Sequence, residues 1–163
     1  MTHPSFGIRP PSTLASYACV VFVLLLTACA SQSGEPKPPE IAYGQEVCDS
    51  CGMLISEARF AAATLLENGE TRKFDDLSEM FSYHMDHPDL TVRAWFVHDY
   101  ESEGWIRGET AFYVLDEEIK SPMGHGMAAF ENREKAEKMA AELGVKVYTF
   151  DEARVEIHMK VHG

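Results

Sequence analysis

Two thiols and a thioether lie within six residues in the segment Cys48-Asp-Ser-Cys-Gly-Met53. Soft sulfur donors of this kind select Cu(I) over hard cations such as Mg²⁺ or Ca²⁺. A Cu(I) ion needs only a few soft ligands, and Cys51, Met53 and Cys48 are enough to begin such a set. Because the metal binds the thiolate form of cysteine, binding would release protons and weaken at low pH. The segment therefore predicts a Cu(I) site.

Two other interpretations of the Cys48/Cys51 pair remain open. A thioredoxin-like redox pair follows a strand and opens a helix in a βαβ unit, whereas the residues after Cys51 lead into a predicted hairpin. A structural disulfide closing this small loop is the second alternative, which an oxidising compartment permits. A zinc ribbon is disfavoured, because it would need a second pair of Cys or His ligands.

A second group of soft donors lies in the loop Ser121-Pro-Met-Gly-His-Gly-Met127. Its glycines allow the backbone to bend so that Met123, His125 and Met127 point to one centre. A lone Met usually packs in a core, but these two flank a His instead of recurring at helical spacing. A tight turn without ligands is the alternative. We expect at least one of the three side chains to take part in metal binding.

Two weaker clusters combine His and Met: residues 84–87 (His-Met-Asp-His), and His158, Met159 and His162. A His near the C-terminal end of a helix is favoured by the helix dipole and needs no metal to explain it. The C-terminal cluster could bind copper or could simply be polar. The sequence does not predict a site at either cluster.

The N-terminal segment carries the pattern of an exported lipoprotein. The apolar run 19–28 is too short for a transmembrane helix and suits the core of a secretory signal. It ends in Leu-Thr-Ala-Cys29, which resembles a lipobox, so residues 1–28 are predicted to be a signal peptide and Cys29 the lipidated (palmitate-bearing) residue. Residues 29–43, rich in Ser and Pro, are predicted to be a flexible tether. An ordinary signal peptide or an uncleaved short anchor is the alternative.

The formal net charge of −12 argues against nucleic acid as a partner and against an electrostatic hold on anionic lipid. The sequence contains no Gly-x-Ser-x-Gly elbow, phosphate-binding glycine loop or His-Glu-x-x-His pattern. We therefore predict a binding protein and not an enzyme.

Two similar segments, each predicted as strand, strand, helix, strand, would position the soft donors. The first has strands at 59–66 and 71–74 around an Asn68-Gly69 turn, an amphipathic helix from about residue 77 to Pro88, and a strand at 91–97. The second has extended residues at 105–107 and 110–115, a strand at 127–130, a helix between Asn132 and Gly144, and a strand at 145–150. Residues 155–161 are predicted to be strand-like.

This order of elements predicts an α+β fold with mainly antiparallel strands and helices packed on one side. The folded domain would span residues 44–163, with two similar ββαβ units at roughly 44–100 and 101–163. The alternative is a single α+β sandwich whose two βα segments look alike by chance.

In these residues the chain resembles the NosL family. Members of this family are lipoproteins that assist the maturation of nitrous oxide reductase, an enzyme of denitrification. The matching features are the lipobox at Cys29, Cys51-Gly-Met53, Phe74-Asp-Asp76 and the stretch Ser121–Phe130. The resemblance implies two ββαβ units, binding of one Cu(I) and delivery to the copper centres of the reductase. Matching positions imply Cys51 and Met53 as ligands, with Met123 and His125 as further ones.

One position departs from the family pattern, because many members have a single Cys before the Met and this chain adds Cys48. The extra thiol would be either a third ligand or a disulfide partner. The sequence thus predicts a copper chaperone, lipid-anchored to a membrane on its extracytoplasmic (periplasmic) side, with an apo-cuproenzyme, nitrous oxide reductase, as its client. The alternatives are a thiol–disulfide oxidoreductase that uses the Cys pair and a structural lipoprotein with a permanent disulfide.

Overall fold

A four-stranded and a three-stranded antiparallel sheet form the frame of the computed structural model, which describes residues 34–163. The predicted signal peptide at 1–28 and the predicted lipidation site Cys29 lie outside the described residues. Among residues 34–163, no helix is both long and apolar enough to cross a membrane.

The first sheet has the strand order β2-β1-β3-β4, with antiparallel pairing throughout. Its strands are β1 (Ala62–Leu66), β2 (Thr71–Phe74), β3 (Val92–His98) and β4 (Trp105–Arg107). The predicted hairpin at Asn68-Gly69 joins β1 to β2. The second sheet has the order β6-β5-β7, built from β5 (Phe112–Leu115), β6 (Met127–Phe130) and β7 (Val147–Tyr148).

Each of the three α-helices within residues 34–163 begins at a side chain able to cap backbone N–H groups. Helix α1 (Leu77–Asp86) is capped by Asp76, which accepts from the Ser78 amide. Helix α2 (Arg133–Leu143) is capped by Asn132. Helix α3 (Phe150–His162) begins with a capping box in which Thr149 and Glu152 satisfy each other's backbone N–H groups. α1 packs on β1 and β2, α2 packs on β5 and β6, and α3 packs against α1.

The predicted α+β class with antiparallel strands is confirmed, and β1-β2-α1-β3 and β5-β6-α2-β7 are the two ββαβ units. Two details of the prediction were wrong. Strand β4, assigned to the second segment, pairs with β3 and extends the first sheet. Residues 155–161 are helical, because the Thr149 capping box starts a helix that buries Ala153 and Ile157 one turn apart.

A core shared by both sheets holds the two ββαβ units together. Buried side chains from α1, β6 and α3, including Met80, Phe81, Met127 and Ile157, belong to one cluster. Met80 packs inside this core and Met85 packs against it, whereas Met139 packs against a second cluster that includes Val114 and Phe130. The N-terminal end of α1 contacts two segments: the turn that carries the Cys pair, and the glycine-rich loop before β6.

Candidate metal centre

The Cys-x-x-Cys segment closes on itself as a tight turn at the end of a short hairpin. An isolated antiparallel bridge joins Val47 to Leu54. Inside it, the Cys48 amide donates to the Met53 carbonyl at 2.8 Å, and the Gly52 amide donates to the Cys48 carbonyl at 3.0 Å. Gly52 has φ +73°, a left-handed conformation that other residues adopt only at a cost. The turn therefore places both thiols on a short, constrained piece of backbone.

Long-range hydrogen bonds dock this turn against β2 and the first turn of α1. The Asp49 amide donates to the Lys73 carbonyl at 2.8 Å, and the Lys73 amide donates to Asp49 Oδ2 at 2.6 Å. Ser50 Oγ donates to Glu79 Oε2 at 2.6 Å. The residues between the two cysteines thus fix the thiols at the junction of β2 and α1.

At this junction three potential ligand atoms come together. The Sγ atoms of Cys48 and Cys51 and a carboxylate oxygen of Asp75 all lie within 4.8 Å of one another. Both cysteines are free thiols, with Cys48 buried and Cys51 exposed. Within residues 34–163, this is the only cluster of three or more Cys, His, Asp or Glu donors this close together. One thiol is therefore buried in the protein and the other is exposed to solvent.

Asp75 is the member of this cluster that the sequence motifs did not indicate as a ligand. Its Oδ1 accepts a hydrogen bond from Cys51 Sγ at 3.4 Å, and its buried Oδ2 has no hydrogen-bond partner. A helix needs one N-cap residue, and Asp76 alone caps α1. The second Asp just before the helix was therefore available for another role, and this pattern could have indicated Asp75 as a ligand. A buried carboxylate oxygen without a partner is costly, and this one lies beside two thiols.

Burial keeps both thiols protonated at neutral pH. Loss of solvation raises the pKa of Cys48 to about 12. It also raises the pKa of Cys51, and the negative charge of Asp75 raises it further. Reactive redox cysteines have lowered pKa values, commonly at a helix N-terminus. The arrangement here suits donors that become thiolates only when a cation replaces their protons.

The glycine-rich loop is anchored to the same end of α1, one residue from Asp75. The Met123 amide donates to Asp76 Oδ2 at 3.0 Å, and His125 Nδ1 lies 2.9 Å from Ser78 Oγ. The Ser78 hydroxyl proton is directed to Asp76 Oδ1 at 2.6 Å, so His125 Nδ1–H donates to Ser78 Oγ. A neutral His125 then carries its lone pair on Nε2, the atom that remains able to bind a metal.

The remaining candidate ligands differ in accessibility. Met53 follows the turn with its side chain 44 % exposed, and Met123 and His125 are half-buried. Met127 lies in β6 opposite Leu115, and its side chain is fully buried in the core. Packing accounts for Met127 without a metal. The structure therefore brings the two thiols together, places the loop at the same helix end, and leaves Met127 inside the protein.

A family model described as NosL matches residues 40–158 of the chain. The curated protein "Copper-binding lipoprotein NosL" of Stutzerimonas stutzeri is 24 % identical over 144 residues, covering 82 % of this chain and 76 % of that protein. The crystal structure of the copper chaperone NosL from Shewanella denitrificans is similar with a TM-score of 0.63 and 25 % identity, covering 72 % of this chain and 96 % of that one.

Replacing Gly126 tests whether the glycine-rich loop depends on its backbone path. Gly126 has φ +66°, and an added Cβ would lie 2.0 Å from the Asp116 carbonyl oxygen. We expect Gly126→Ala to lower the free energy of unfolding by about 3 kcal/mol or more, because the loop must move. Gly124 has φ +71° but no atom within 4 Å of an added Cβ, so Gly124→Ala should cost only about 1–2 kcal/mol. Urea unfolding compares them, and equal losses would contradict this account of the loop.

Proposed function

The chain belongs to the NosL family, and from that premise we propose that it is an extracytoplasmic chaperone for Cu(I). The observation that carries the proposal is the approach of the Cys48 and Cys51 sulfurs to within 4.8 Å of each other at one end of α1. Two thiolates are the soft donors that favour Cu(I) among the biological metals. A hard cation would require several oxygen ligands, and the cluster offers one carboxylate.

The two thiols are suited to different parts of copper transfer. Cys48 is 2 % exposed and would hold the ion on the protein side. Cys51 is exposed and would be the first ligand that an acceptor protein displaces. A site with one buried and one accessible thiolate can hold Cu(I) firmly and still release it by stepwise ligand exchange.

Met53, Met123 and His125 are the proposed additional ligands. Met53 follows the thiol turn directly, and its half-exposed thioether is free to move over the ion. Asp76 and Ser78 hold the loop that carries Met123 and His125. Because His125 Nδ1–H donates to Ser78 Oγ, Nε2 of His125 is left for the metal. We leave Met127 out of this set, because its side chain is buried in the core.

Asp75 would hold the Cys51 proton in place until copper arrives. Its Oδ1 accepts the S–H hydrogen bond, and its charge favours the protonated thiol. Copper would replace this proton and the Cys48 proton, so that two thiols and one Cu⁺ become a bis-thiolate complex and two protons leave. The carboxylate thereby protects an empty site against thiolate reactions such as oxidation.

We infer binding and delivery, with no catalytic step. The rival thiol–disulfide exchange needs a cysteine whose pKa is lowered, whereas burial raises both pKa values here. The Cys pair also lies in a tight turn and not at a helix start. A permanent disulfide remains distinguishable from the copper site by mass measurement after alkylation of the native protein.

The proposal also covers how the protein is attached to a membrane and which protein receives the copper. The lipobox supports a lipid anchor at Cys29 and a position on the outer face of a membrane, and the relative in Stutzerimonas stutzeri is named a lipoprotein. The family resemblance supports an apo-cuproenzyme as acceptor, with nitrous oxide reductase as the client. Such a transfer would need the exposed Cys51 to face the acceptor.

Replacing Cys51 tests the copper site. We expect Cys51→Ser to weaken Cu(I) binding roughly hundredfold or more, because a first ligand is lost, as measured anaerobically against a chromogenic Cu(I) chelator. Met53→Leu should weaken it roughly tenfold, and Met159→Leu, an exposed methionine on α3, serves as the matched control. Unchanged affinity in Cys51→Ser would refute the assignment.

The pH dependence of Cu(I) affinity counts the thiolates in the site. Because the pKa of Cys48 is raised to about 12 and that of Cys51 is also raised, the empty protein holds both protons near neutral pH. The logarithm of the association constant should therefore rise by about two per pH unit between about pH 6 and 8. Cys48→Ser should reduce this slope to about one. A slope of about one in the unsubstituted protein would mean that only one of the two thiols binds as a thiolate and would contradict the proposed bis-thiolate site.

A further inference from the structure

The His-containing clusters at residues 84–87 and 158–162 are far apart in the sequence. They lie next to each other in the structure, where the C-terminal ends of α1 and α3 pack together. Asp86 is the last residue of α1, and its Oδ1 lies 3.7 Å from Nε2 of His162 near the end of α3. The two residues are 76 positions apart in the chain, so only the helix packing brings them together. A carboxylate and an imidazole nitrogen thus face each other on the surface.

A second imidazole lies beside this pair. His158 precedes His162 by one helical turn, so both side chains lie on the same face of α3. Their ring centroids are 5.0 Å apart with an angle of 45° between the ring planes. Both residues are exposed, so small rotations about their side-chain bonds can direct one nitrogen of each ring to a common point. The three groups do not all lie within 4.8 Å of one another, so a shared ion would require these side-chain rotations but no movement of the backbone.

The surroundings leave space for further ligands. His158 also lines an open cavity of about 670 Å³, together with His84 and Met85 of α1. His84 is 7 % exposed, and its Nδ1 is buried without a hydrogen-bond partner, while its Nε2 contacts Thr64 Oγ1 at 2.9 Å. Asp86 and His162 do not line this cavity, but both are exposed, as His158 is, so water can reach all three side chains.

The neighbouring charges permit a cation at this position. Arg154 lines the same cavity one turn before His158, but its guanidinium packs over the rings of Trp95 and Phe150, at 5.3 Å and 5.5 Å from their centroids. Asp151 also lines the cavity and offers a negative charge. The formal net charge of −12 attracts cations to the surface as a whole.

We propose that Asp86, His158 and His162 form a second metal site, for a divalent ion of the borderline class, with Cu(II) preferred over Zn(II). Neutral imidazoles and a carboxylate suit these ions, and Cu(II) binds most tightly among the divalent first-row metals. This donor set of two nitrogens and one oxygen differs from the sulfur donors at Cys48 and Cys51. The site binds copper in its oxidised state and requires neither thiolate nor electron transfer.

The test is a Cu(II) titration of the chain with Cys48→Ala and Cys51→Ser, which removes the thiols that would reduce or bind the added metal. Continuous-wave electron paramagnetic resonance should show one equivalent of Cu(II) with nitrogen hyperfine coupling. His158→Ala or His162→Ala should each lower the affinity at least about tenfold, and Asp86→Asn should lower it less. His87→Ala is the control, because His87 is exposed nearby but stacks on Tyr83 at 4.2 Å between centroids.

Unchanged affinity in both His158→Ala and His162→Ala, or an equal loss in His87→Ala, would overturn the proposal and leave Asp86 and His162 as a surface ion pair. If the doubly substituted chain does not fold, Cys51→Ser alone replaces it as the background, because Cys48 is buried. The titration uses Cu(II) and a chain that lacks the thiol site. A negative result would therefore refute the second metal site without bearing on the proposed Cu(I) chaperone function.

Discussion

Two buried carboxylates at the start of α1 organise the region where the soft donors meet. Asp75 is 2 % exposed and Asp76 is fully buried. Burial of two adjacent acids is costly unless hydrogen bonds and dipoles compensate for the lost water. Asp76 is compensated by the Ser78 amide, the Ser78 hydroxyl and the Met123 amide, and the positive end of the α1 dipole adds to this. Asp75 accepts from the Cys51 thiol and also lies against the Cys48 thiol.

The two acids therefore have different roles: Asp76 stabilises the structure around the site, and Asp75 lies among the potential metal ligands. Asp76 joins the helix start to the glycine-rich loop and fixes where Met123 and His125 lie. Asp75 keeps an unpaired oxygen next to the two thiols, so the local cost is concentrated where a cation would relieve it. The turn that carries the thiols is held by Asp49 on the backbone of Lys73 and by Ser50 on Glu79, with Cys48 buried in the core and Cys51 exposed.

The elements that the sequence predicted correctly are those with local causes. Asn68-Gly69 specifies the β1–β2 hairpin, Asp76 and Asn132 cap α1 and α2, and Gly144 ends α2 in a left-handed conformation. The features that the sequence did not reveal depend on distant partners. The contact between Cys51 and Asp75 depends on long-range bonds that dock the turn, from Asp49 to the backbone of Lys73 and from Ser50 to Glu79, and no local pattern indicates them. In the C-terminal segment, the Thr149 capping box outweighed an imperfect alternation of apolar residues that suggested a strand.

X-ray absorption at the copper edge of the Cu(I)-loaded protein reports the atoms bound to the metal and so tests whether both thiols are ligands. We expect a Cu(I) edge and a first shell dominated by sulfur, with one fewer sulfur atom when Cys48 is replaced by serine. A first shell of nitrogen and oxygen alone, or a sulfur count that does not change in Cys48→Ser, would contradict the proposed bis-thiolate site.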